Sequence, residues 1–146
     1  MKNEEIYALL ELESFSKNVW EPACDEGYLA KILEDKGCNV RCSDIINKGY
    51  PNTQVLDFLH YHGKFNGDII TNPPHEFAKQ FVEHALEIVE PNCKVVMFLR
   101  LTVLKELFDI QPKTLYVSSI LFNGEAYGWY IWEKGFKGKP IIKWFK

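Results

Sequence analysis

The chain of 146 residues lacks the features that mark several special classes of protein. It contains no run of about 18 apolar residues, so we expect no membrane-spanning helix and no membrane partner. Its acidic start, MKNEEIYALLELE, has no signal-peptide pattern, which predicts a cytoplasmic protein. Neither an internal repeat nor a low-complexity linker interrupts it, so residues 1–146 are predicted to form a single domain with a substantial core.

Cysteine is sparse and follows no recognisable pattern. Cys24, Cys38, Cys42 and Cys93 show no Cys-x-x-Cys spacing, and the ligand clusters that zinc sites need are absent from the sequence. We therefore predict no metal site and interpret the four thiols as small core residues.

Charge of neither sign dominates, since 17 basic and 20 acidic residues leave a net charge of −3. The two signs are nevertheless separated along the chain. Eight basic and sixteen acidic side chains give −8 in residues 1–90, whereas nine and four give +5 in residues 91–146. Such a basic segment either faces a polyanion or forms a solvated lysine surface, and we favour the second because the whole chain is acidic.

What the sequence does contain is an alternation of strands and helices. The spacing of apolar residues predicts helices at 4–13, 27–36, 75–90 and 103–109. Apolar or alternating runs predict strands at 18–20, 38–43, 67–71, 94–100, 114–122 and 126–132, with a shorter strand or turn near 55–59. This order predicts an α/β fold with a mainly parallel sheet and helices on both faces.

The C-terminal part of the sheet is predicted to differ from the rest. Asn123-Gly124 lies between two apolar runs, which is a strong signal for a tight hairpin. We therefore expect an antiparallel pair at one edge of the sheet. The tail after Trp132 is expected to add one further edge segment.

The most informative stretch is the apolar strand that ends in Asn72-Pro73-Pro74. Two consecutive prolines cannot continue a strand ladder, so the backbone must leave the sheet here. The Asn72 side-chain amide and the Pro73 carbonyl are then presented at the carboxyl end of a strand, where open α/β sheets bind ligands. Such a pair of acceptors can bind the two hydrogens of an amino group. His75 follows directly.

A nucleotide-binding corner is predicted at Glu21–Gly27, where a strand, a turn and a helix N-terminus follow one another. Gly27 lets a ligand approach the backbone closely. Asp44 ends the next strand, where a carboxylate can accept both hydroxyls of a ribose. This geometry suits NAD and S-adenosylmethionine (SAM) equally, but Asp25 replaces the first glycine of the Gly-x-Gly-x-x-Gly/Ala pattern, which argues against NAD.

Asp57 and Phe58 form a further candidate pair. The Asp57 carboxylate is able to accept a hydrogen bond from an adenine amino group, with the Phe58 ring against the base. A turn residue is an equally good interpretation of Asp57.

Four motifs in this order resemble those of one family. They are Trp20–Gly27 (WEPACDEG), Ser43-Asp44, Asp57-Phe58 and Thr71–Pro74 (TNPP). Together they resemble the small phage and prophage SAM-dependent adenine methyltransferases, whose signature is Asn-Pro-Pro-aromatic. The likeness continues through residues 94–101 and 126–145, so it covers nearly the whole chain.

The resemblance implies a Rossmann-like class I methyltransferase fold, with a seven-stranded sheet whose last strand is reversed. It implies catalysis by Asn72, Pro73 and Pro74, with His75 in place of the aromatic residue that stacks on a flipped base. The candidate SAM contacts include Asp25, which replaces a family glycine, and Phe58. The full set of these contacts is Glu21, Ala23, Asp25, Gly27, Asp44, Asp57 and Phe58.

The implied reaction transfers a methyl group from SAM to the exocyclic amine of adenine in nucleic acid, with DNA expected before RNA. A protein glutamine as acceptor would share the same chemistry. A chain of 146 residues leaves no room for a separate recognition domain, so we expect a protein partner, a homo-oligomer or low sequence specificity. Because Asp25 and His75 depart from the family pattern, the alternative is a catalytically inactive, methyltransferase-derived binding or inhibitory protein of phage origin.

Overall fold

Eight strands form one sheet in the computed structural model, which describes residues 3–145. In space their order is β3-β2-β1-β4-β5-β7-β6-β8, which confirms the predicted α/β class. Along the chain the strands are β1 (Asn18–Glu21), β2 (Asn39–Asp44), β3 (Gln54–Val55), β4 (Asp68–Thr71), β5 (Lys94–Arg100), β6 (Thr114–Phe122), β7 (Glu125–Glu133) and β8 (Ile141–Phe145).

Helices cover both faces of the sheet, as the sequence predicts. The helices α1 (Asn3–Leu12) and α2 (Tyr28–Asp35) pack on one face, and α3 (Ala78–Ile88) packs on the other. Strand β5 is buried on both sides, which explains why its sequence is a continuous apolar run. Among residues 3–145, no helix has the length and apolar character needed to cross a membrane.

The first five strands run parallel to one another, and β7 runs against both of its neighbours. The tight turn before β7 uses Asn123 and Gly124, which both have positive φ, at 51° and 78°. This backbone shape is the one that favours Asn-Gly in two-residue hairpins. The predicted hairpin is therefore confirmed.

The predicted position of the hairpin at an edge is wrong. Strand β7 inserts between β5 and β6, and β8 pairs in parallel with β6 as the outermost strand. The physical reason lies in the side chains. Trp129, Tyr130 and Ile131 of β7 are all buried, whereas Trp144 of β8 is 72% exposed. The tail thus forms the expected edge segment and extends the implied seven strands to eight.

Candidate active site

The carboxyl ends of β1, β2 and β4 border a cavity of about 520 Å³. Its walls come from the turn after β1, the first turn of α2, the loop after β2 and the Asn-Pro-Pro-His turn after β4. The lining residues are Glu21, Ala23, Cys24, Asp25, Tyr28, Leu29, Asp44, Ile45, Ile46, Lys48, Asn72, Pro73, Pro74 and His75. Most of the predicted site residues are therefore brought together, although Gly27, Asp57 and Phe58 are not part of the lining.

Glu21 ends β1 with its carboxyl group almost completely buried, at 2% exposure. Its Oε1 atom accepts hydrogen bonds from the Thr71 hydroxyl at 2.5 Å and from the Ala23 backbone N–H at 2.9 Å. Burial raises the pKa of Glu21 to about 8, because desolvation outweighs these two bonds, and the neighbouring Asp44 and Asp25 act in the same direction. Glu21 therefore holds a proton at neutral pH and ties β1 to β4.

Asp44 is oriented by two backbone donors at the end of β2. Its Oδ2 accepts from the Asp25 N–H at 2.8 Å, and its Oδ1 accepts from the Ile45 N–H at 2.7 Å. Each oxygen keeps a further lone pair, so the carboxylate remains able to accept hydroxyl groups from a ligand in the cavity.

Asp25 occupies a backbone conformation that suits glycine, with φ at 53°. Its carboxylate forms an ion pair with Lys48 Nζ at 2.7 Å, and both side chains are about half exposed. The pair forms part of the cavity wall beside Asp44.

Asn72 follows β4 directly, and its side-chain oxygen is the unusual atom of the site. The Oδ1 atom is buried and has no hydrogen-bond partner within residues 3–145. Buried polar atoms are nearly always paired, and an unpaired one costs about 1–3 kcal/mol. The position of this acceptor is held by the buried Pro73, which follows it at the sharp exit from the sheet.

A second cavity, of about 350 Å³, lies on the other side of this turn. Three aromatic rings from β5, β6 and β7 line it, together with polar side chains and Leu121. Phe98 stacks on Tyr127 with ring centres 5.2 Å apart and an angle of 13° between the planes. Asn72 and His75 line both cavities, and the full lining is Asn72, His75, Phe98, Leu121, Phe122, Asn123 and Tyr127.

Comparison with known proteins identifies the fold of the chain from solved structures of low sequence identity. No protein-family profile matches the sequence, and no curated protein matches it. The solved structure of the 23S rRNA methyltransferase ErmE superposes with a TM-score of 0.65 at 15% identity, over 94% of this chain and 72% of ErmE. The magnesium protoporphyrin IX methyltransferase ChlM of Synechocystis, solved with bound SAM, superposes with a TM-score of 0.56 at 16% identity, over 88% and 74%. This is the class I methyltransferase fold.

TrmN from Thermus thermophilus has the same fold, with a TM-score of 0.62 at 16% identity. The superposition covers 88% of this chain but only 48% of TrmN, so the chain spans about half the length of that protein. At these identities the comparison concerns the fold alone.

Gly27 has a packing contact that the sequence interpretation did not predict. It precedes α2 with φ at 90°, and a Cβ atom added to it would lie 2.0 Å from the Tyr50 ring. The missing side chain therefore makes room for Tyr50, which packs at this corner. Contact between Gly27 and a cofactor stays a prediction.

Asp57 and Phe58 lie elsewhere than expected. The Asp57 carboxylate accepts from the Leu59 N–H at 3.1 Å and lies 2.7 Å from His60 Nδ1, so it caps the short helical turn Phe58–His60. The Phe58 ring is only 2% exposed and packs edge-on against Trp20 at 5.2 Å. Burial of a large apolar ring in the core is favourable, so Phe58 packs there and does not line the candidate cofactor cavity.

Ile45 and Ile46 are cavity residues that the sequence interpretation missed. They follow Asp44 directly, line the cavity and are 62% and 60% exposed. The signal was available, because two large apolar residues stand at the start of an otherwise polar loop, next to the proposed ribose acid.

Three lysines of the basic C-terminal segment, Lys134, Lys137 and Lys139, lie away from the site. The Nζ atom of Lys134 donates to the carbonyls of Glu87 and Val89, at the end of α3. Lys137 and Lys139 lie in the connection from β7 to β8, at the amino ends of the parallel strands. This placement on the far side of the sheet agrees with a solvated lysine surface.

Proposed function

We propose that this chain is a SAM-dependent N-methyltransferase whose acceptor is the exocyclic amine of adenine in nucleic acid, with DNA as the first choice. The observation that carries the proposal is the buried Oδ1 atom of Asn72, which has no hydrogen-bond partner within residues 3–145 and belongs to a residue that lines both cavities. An acceptor that is left unsatisfied at a cost in stability is best explained by an N–H donor that arrives with the substrate.

The residues of the larger cavity fit SAM. The Asp44 carboxylate is held by two backbone donors and suits a ribose, and Ile45 and Ile46 offer apolar surface to an adenine ring. Glu21 and Ala23 form the wall between Asp44 and the Asn-Pro-Pro turn. When bound, SAM supplies an electrophilic methyl group on a sulfonium.

The smaller cavity fits a planar base. The stacked rings of Phe98 and Tyr127 and the perpendicular ring of Phe122 provide aromatic walls. A base that enters such a cavity must leave its own stack, and enzymes that modify bases in duplexes flip them out for this reason. Asn72 would then be within reach of both substrates, because it lines both cavities.

The catalytic contribution of the turn is electrostatic. An adenine amine is a poor nucleophile because its lone pair is delocalised into the ring. Hydrogen bonds from its two N–H groups to Asn72 Oδ1 and to the Pro73 carbonyl favour a pyramidal nitrogen and stabilise the positive charge that develops there. A rigid turn after a buried strand also holds the nitrogen in position, which reduces the entropic part of the barrier.

Phosphate contacts are expected to come partly from outside this chain. The two cations nearest the cavities are already paired, Lys48 with Asp25 and Arg100 with Glu125. We therefore propose that a second copy of the chain or a protein partner contributes to binding the nucleic acid backbone.

One observation favours the alternative of a binding protein without catalysis. The Asp25–Lys48 ion pair places two charged side chains in the wall of the cofactor cavity, where the resembled family has glycine. Calorimetry with SAM distinguishes the two functions. We expect binding in the micromolar range, and an absence of heat at millimolar SAM would overturn the enzyme proposal.

Methyl transfer is then tested with tritiated SAM and unmethylated DNA, with transcribed RNA as the second substrate. Asn72→Ala is expected to lower the rate about 100- to 1000-fold while SAM binding is retained, since it removes one preorganised acceptor. Asn39→Ala, which changes an exposed asparagine at the start of β2, is the matched control and should keep the full rate. Equal activity of the two variants would contradict the role of Asn72.

A further inference from the structure

A row of polar side chains runs along the smaller cavity from β7 to the Asn-Pro-Pro turn. Arg100 at the end of β5 lies with its Nε atom 3.2 Å from Glu125 Oε2 and donates to the Tyr127 hydroxyl oxygen at 3.3 Å. The same hydroxyl lies 3.3 Å from Nε2 of His75. The row therefore connects Glu125, Arg100, Tyr127 and His75 in that order.

The donors and acceptors in this row define the direction of the hydrogen bonds. Arg100 has no acceptor and must donate, so the Tyr127 oxygen accepts from it. We assign the hydroxyl hydrogen of Tyr127 to the bond with His75, so that the Nε2 atom of His75 is the unprotonated nitrogen of the ring. The remaining proton of a neutral His75 is consequently on Nδ1.

His75 is suited to accept a proton at neutral pH. Partial burial lowers the pKa of His75 below its usual value, the Arg100 cation lowers it further, and Glu125 acts in the opposite direction. The ring is therefore mainly neutral at pH 7. It also remains exposed on one side, so a proton accepted there can pass to solvent.

The reaction proposed above creates a need for such an acceptor. When a neutral amine takes up a methyl group, its nitrogen carries a positive charge and must lose one proton to become a neutral secondary amine. Asn72 Oδ1 and the Pro73 carbonyl can accept hydrogen bonds from that nitrogen, but amide oxygens are too weakly basic to take the proton. Tyr127 and His75 line the same cavity as Asn72.

We propose that Tyr127 and His75 form a relay that removes this proton from the methylated nitrogen. The N–H bond of the methylated amine breaks and its proton goes to the Tyr127 oxygen, while the Tyr127 O–H proton moves to His75 Nε2. The substrate loses one proton and His75 gains one, so the charge balances. Tyr127 and His75 are catalytic residues in this step, whereas Arg100 and Glu125 are positioning residues.

The relay rests on the proposed function, and it gives a role to the departure at His75. A phenylalanine or tryptophan at that position can stack on a base but cannot accept a proton, and a tyrosine is a much weaker base than a neutral imidazole. The exchange of an aromatic ring for histidine thus adds base chemistry to a cavity that already has stacking rings in Phe98 and Tyr127.

The first test reads the histidine ring directly and needs neither substrate nor turnover. Nitrogen-15 NMR of the four histidines is expected to show His75 as the Nδ1–H tautomer with a pKa below the usual value. Arg100→Gln should raise the pKa of His75, because it removes a repelling cation, and Glu125→Gln should lower it. Arg41→Gln is the matched control and should leave the pKa of His75 unchanged, since Arg41 lies over Trp20 in another part of the protein. An Nε2–H tautomer, or a His75 titration insensitive to both variants, would overturn the relay.

The second test measures single-turnover methyl transfer to unmethylated DNA at saturating SAM. We expect the rate to fall on the acid side as His75 becomes protonated, and His75→Gln to be about 100-fold slower without that acidic decline. Tyr127→Phe should behave like His75→Gln, and added imidazole should partly restore a His75→Ala variant. An unchanged pH profile in His75→Gln would overturn the relay. Calorimetry distinguishes a failure of the relay from a failure of the proposed function. If SAM does not bind, the methyltransferase proposal is contradicted. If SAM binds but His75 is the Nε2–H tautomer, only the relay is contradicted.

Discussion

Buried side-chain oxygens at the two ends of strand β4 differ in their hydrogen bonding. At its start, Asp68 is 4% exposed, and its two oxygens accept from the backbone N–H groups of Ser16 at 2.6 Å and Lys94 at 2.7 Å. At its other end, the Oδ1 atom of Asn72 is buried and has no partner within residues 3–145. One acceptor is fully used for folding and the other has no partner among the described residues, a contrast that agrees with a structural role for Asp68 and with the role proposed for Asn72.

The same difference extends across the sheet. At the amino ends of the strands, Lys94 donates to Glu13 and to the Ser14 carbonyl, and Lys134 donates to the carbonyls at the end of α3. At the carboxyl ends, Glu21, Asp44 and Asn72 surround cavities. Charged groups at the first end serve only to join segments of the fold. Polar groups at the second end also join segments, as Glu21 does with Thr71, but in addition they line space that a ligand can enter.

Asp68→Ala should have the largest effect, because it leaves two buried backbone N–H groups without an acceptor. We expect a loss of about 3–5 kcal/mol in the free energy of unfolding, measured by urea denaturation. Asn72→Ala should change that free energy by less than about 1 kcal/mol, since no hydrogen bond of the Oδ1 atom is lost. A loss as large in Asn72→Ala as in Asp68→Ala would remove the contrast between the two ends.

Glu21 should make stability depend on pH. Its pKa is about 8 in the folded protein, far above that of an exposed glutamate, so the folded state holds a proton that the unfolded state releases. The stability that this group contributes is complete below about pH 4.5, falls as the pH rises from there to about 8, and is constant above that. The total loss in the free energy of unfolding is roughly 4–5 kcal/mol.

Glu21→Gln keeps an oxygen for Thr71 and Ala23 but cannot ionise, so this decline should disappear in the variant. Urea denaturation at pH 5, 6.5 and 8 measures the effect. Glu83→Gln, at an exposed position on α3, is the control and should retain the decline of the unmodified protein. The burial argument fails if Glu21→Gln and Glu83→Gln show the same pH dependence.

Gly27→Ala tests the close packing of Gly27 against the Tyr50 ring, at the carboxyl ends of the strands. The added methyl group would overlap the Tyr50 ring and would sit at φ 90°, so we expect a loss of about 1–3 kcal/mol in the free energy of unfolding. The double variant Gly27→Ala/Tyr50→Ala should lose less than the sum of the two single variants, because the overlap is gone. Strict additivity in thermal or urea denaturation would argue that Tyr50 does not occupy this space.

The smallest effect is expected from Lys137→Glu and Lys139→Glu at the amino end of the sheet. Each should change the free energy of unfolding by less than about 0.5 kcal/mol, and SAM affinity and methyl transfer should stay within about twofold. Lys48→Glu, in the cavity wall, is the comparison and should change SAM affinity measurably. A large loss of methyl transfer in Lys137→Glu would show that the lysine surface takes part in substrate binding.

Local chemistry was sufficient to predict much of the site. The prolines after Asn72, the glycine-containing turn after Glu21 and the acid at the end of β2 are short-range features, and the structure brings all three to one cavity. The burial of Phe58 and the contact of Gly27 with Tyr50 were not predicted, because each depends on which distant side chain fills the neighbouring space, Trp20 in the first case and Tyr50 in the second.

The sequence by itself determined the alternation of strands and helices, the Asn123-Gly124 hairpin and the break after Asn72, since these follow from backbone preferences of a few adjacent residues. Only the tertiary structure decided that β7 lies inside the sheet, with β8 outside it. It also decided that Asn72 Oδ1 has no partner among residues 3–145 and that Tyr127 joins His75 to Arg100. Those outcomes depend on which segments, far apart in the chain, pack against the same buried surface. Local sequence patterns do not contain that information.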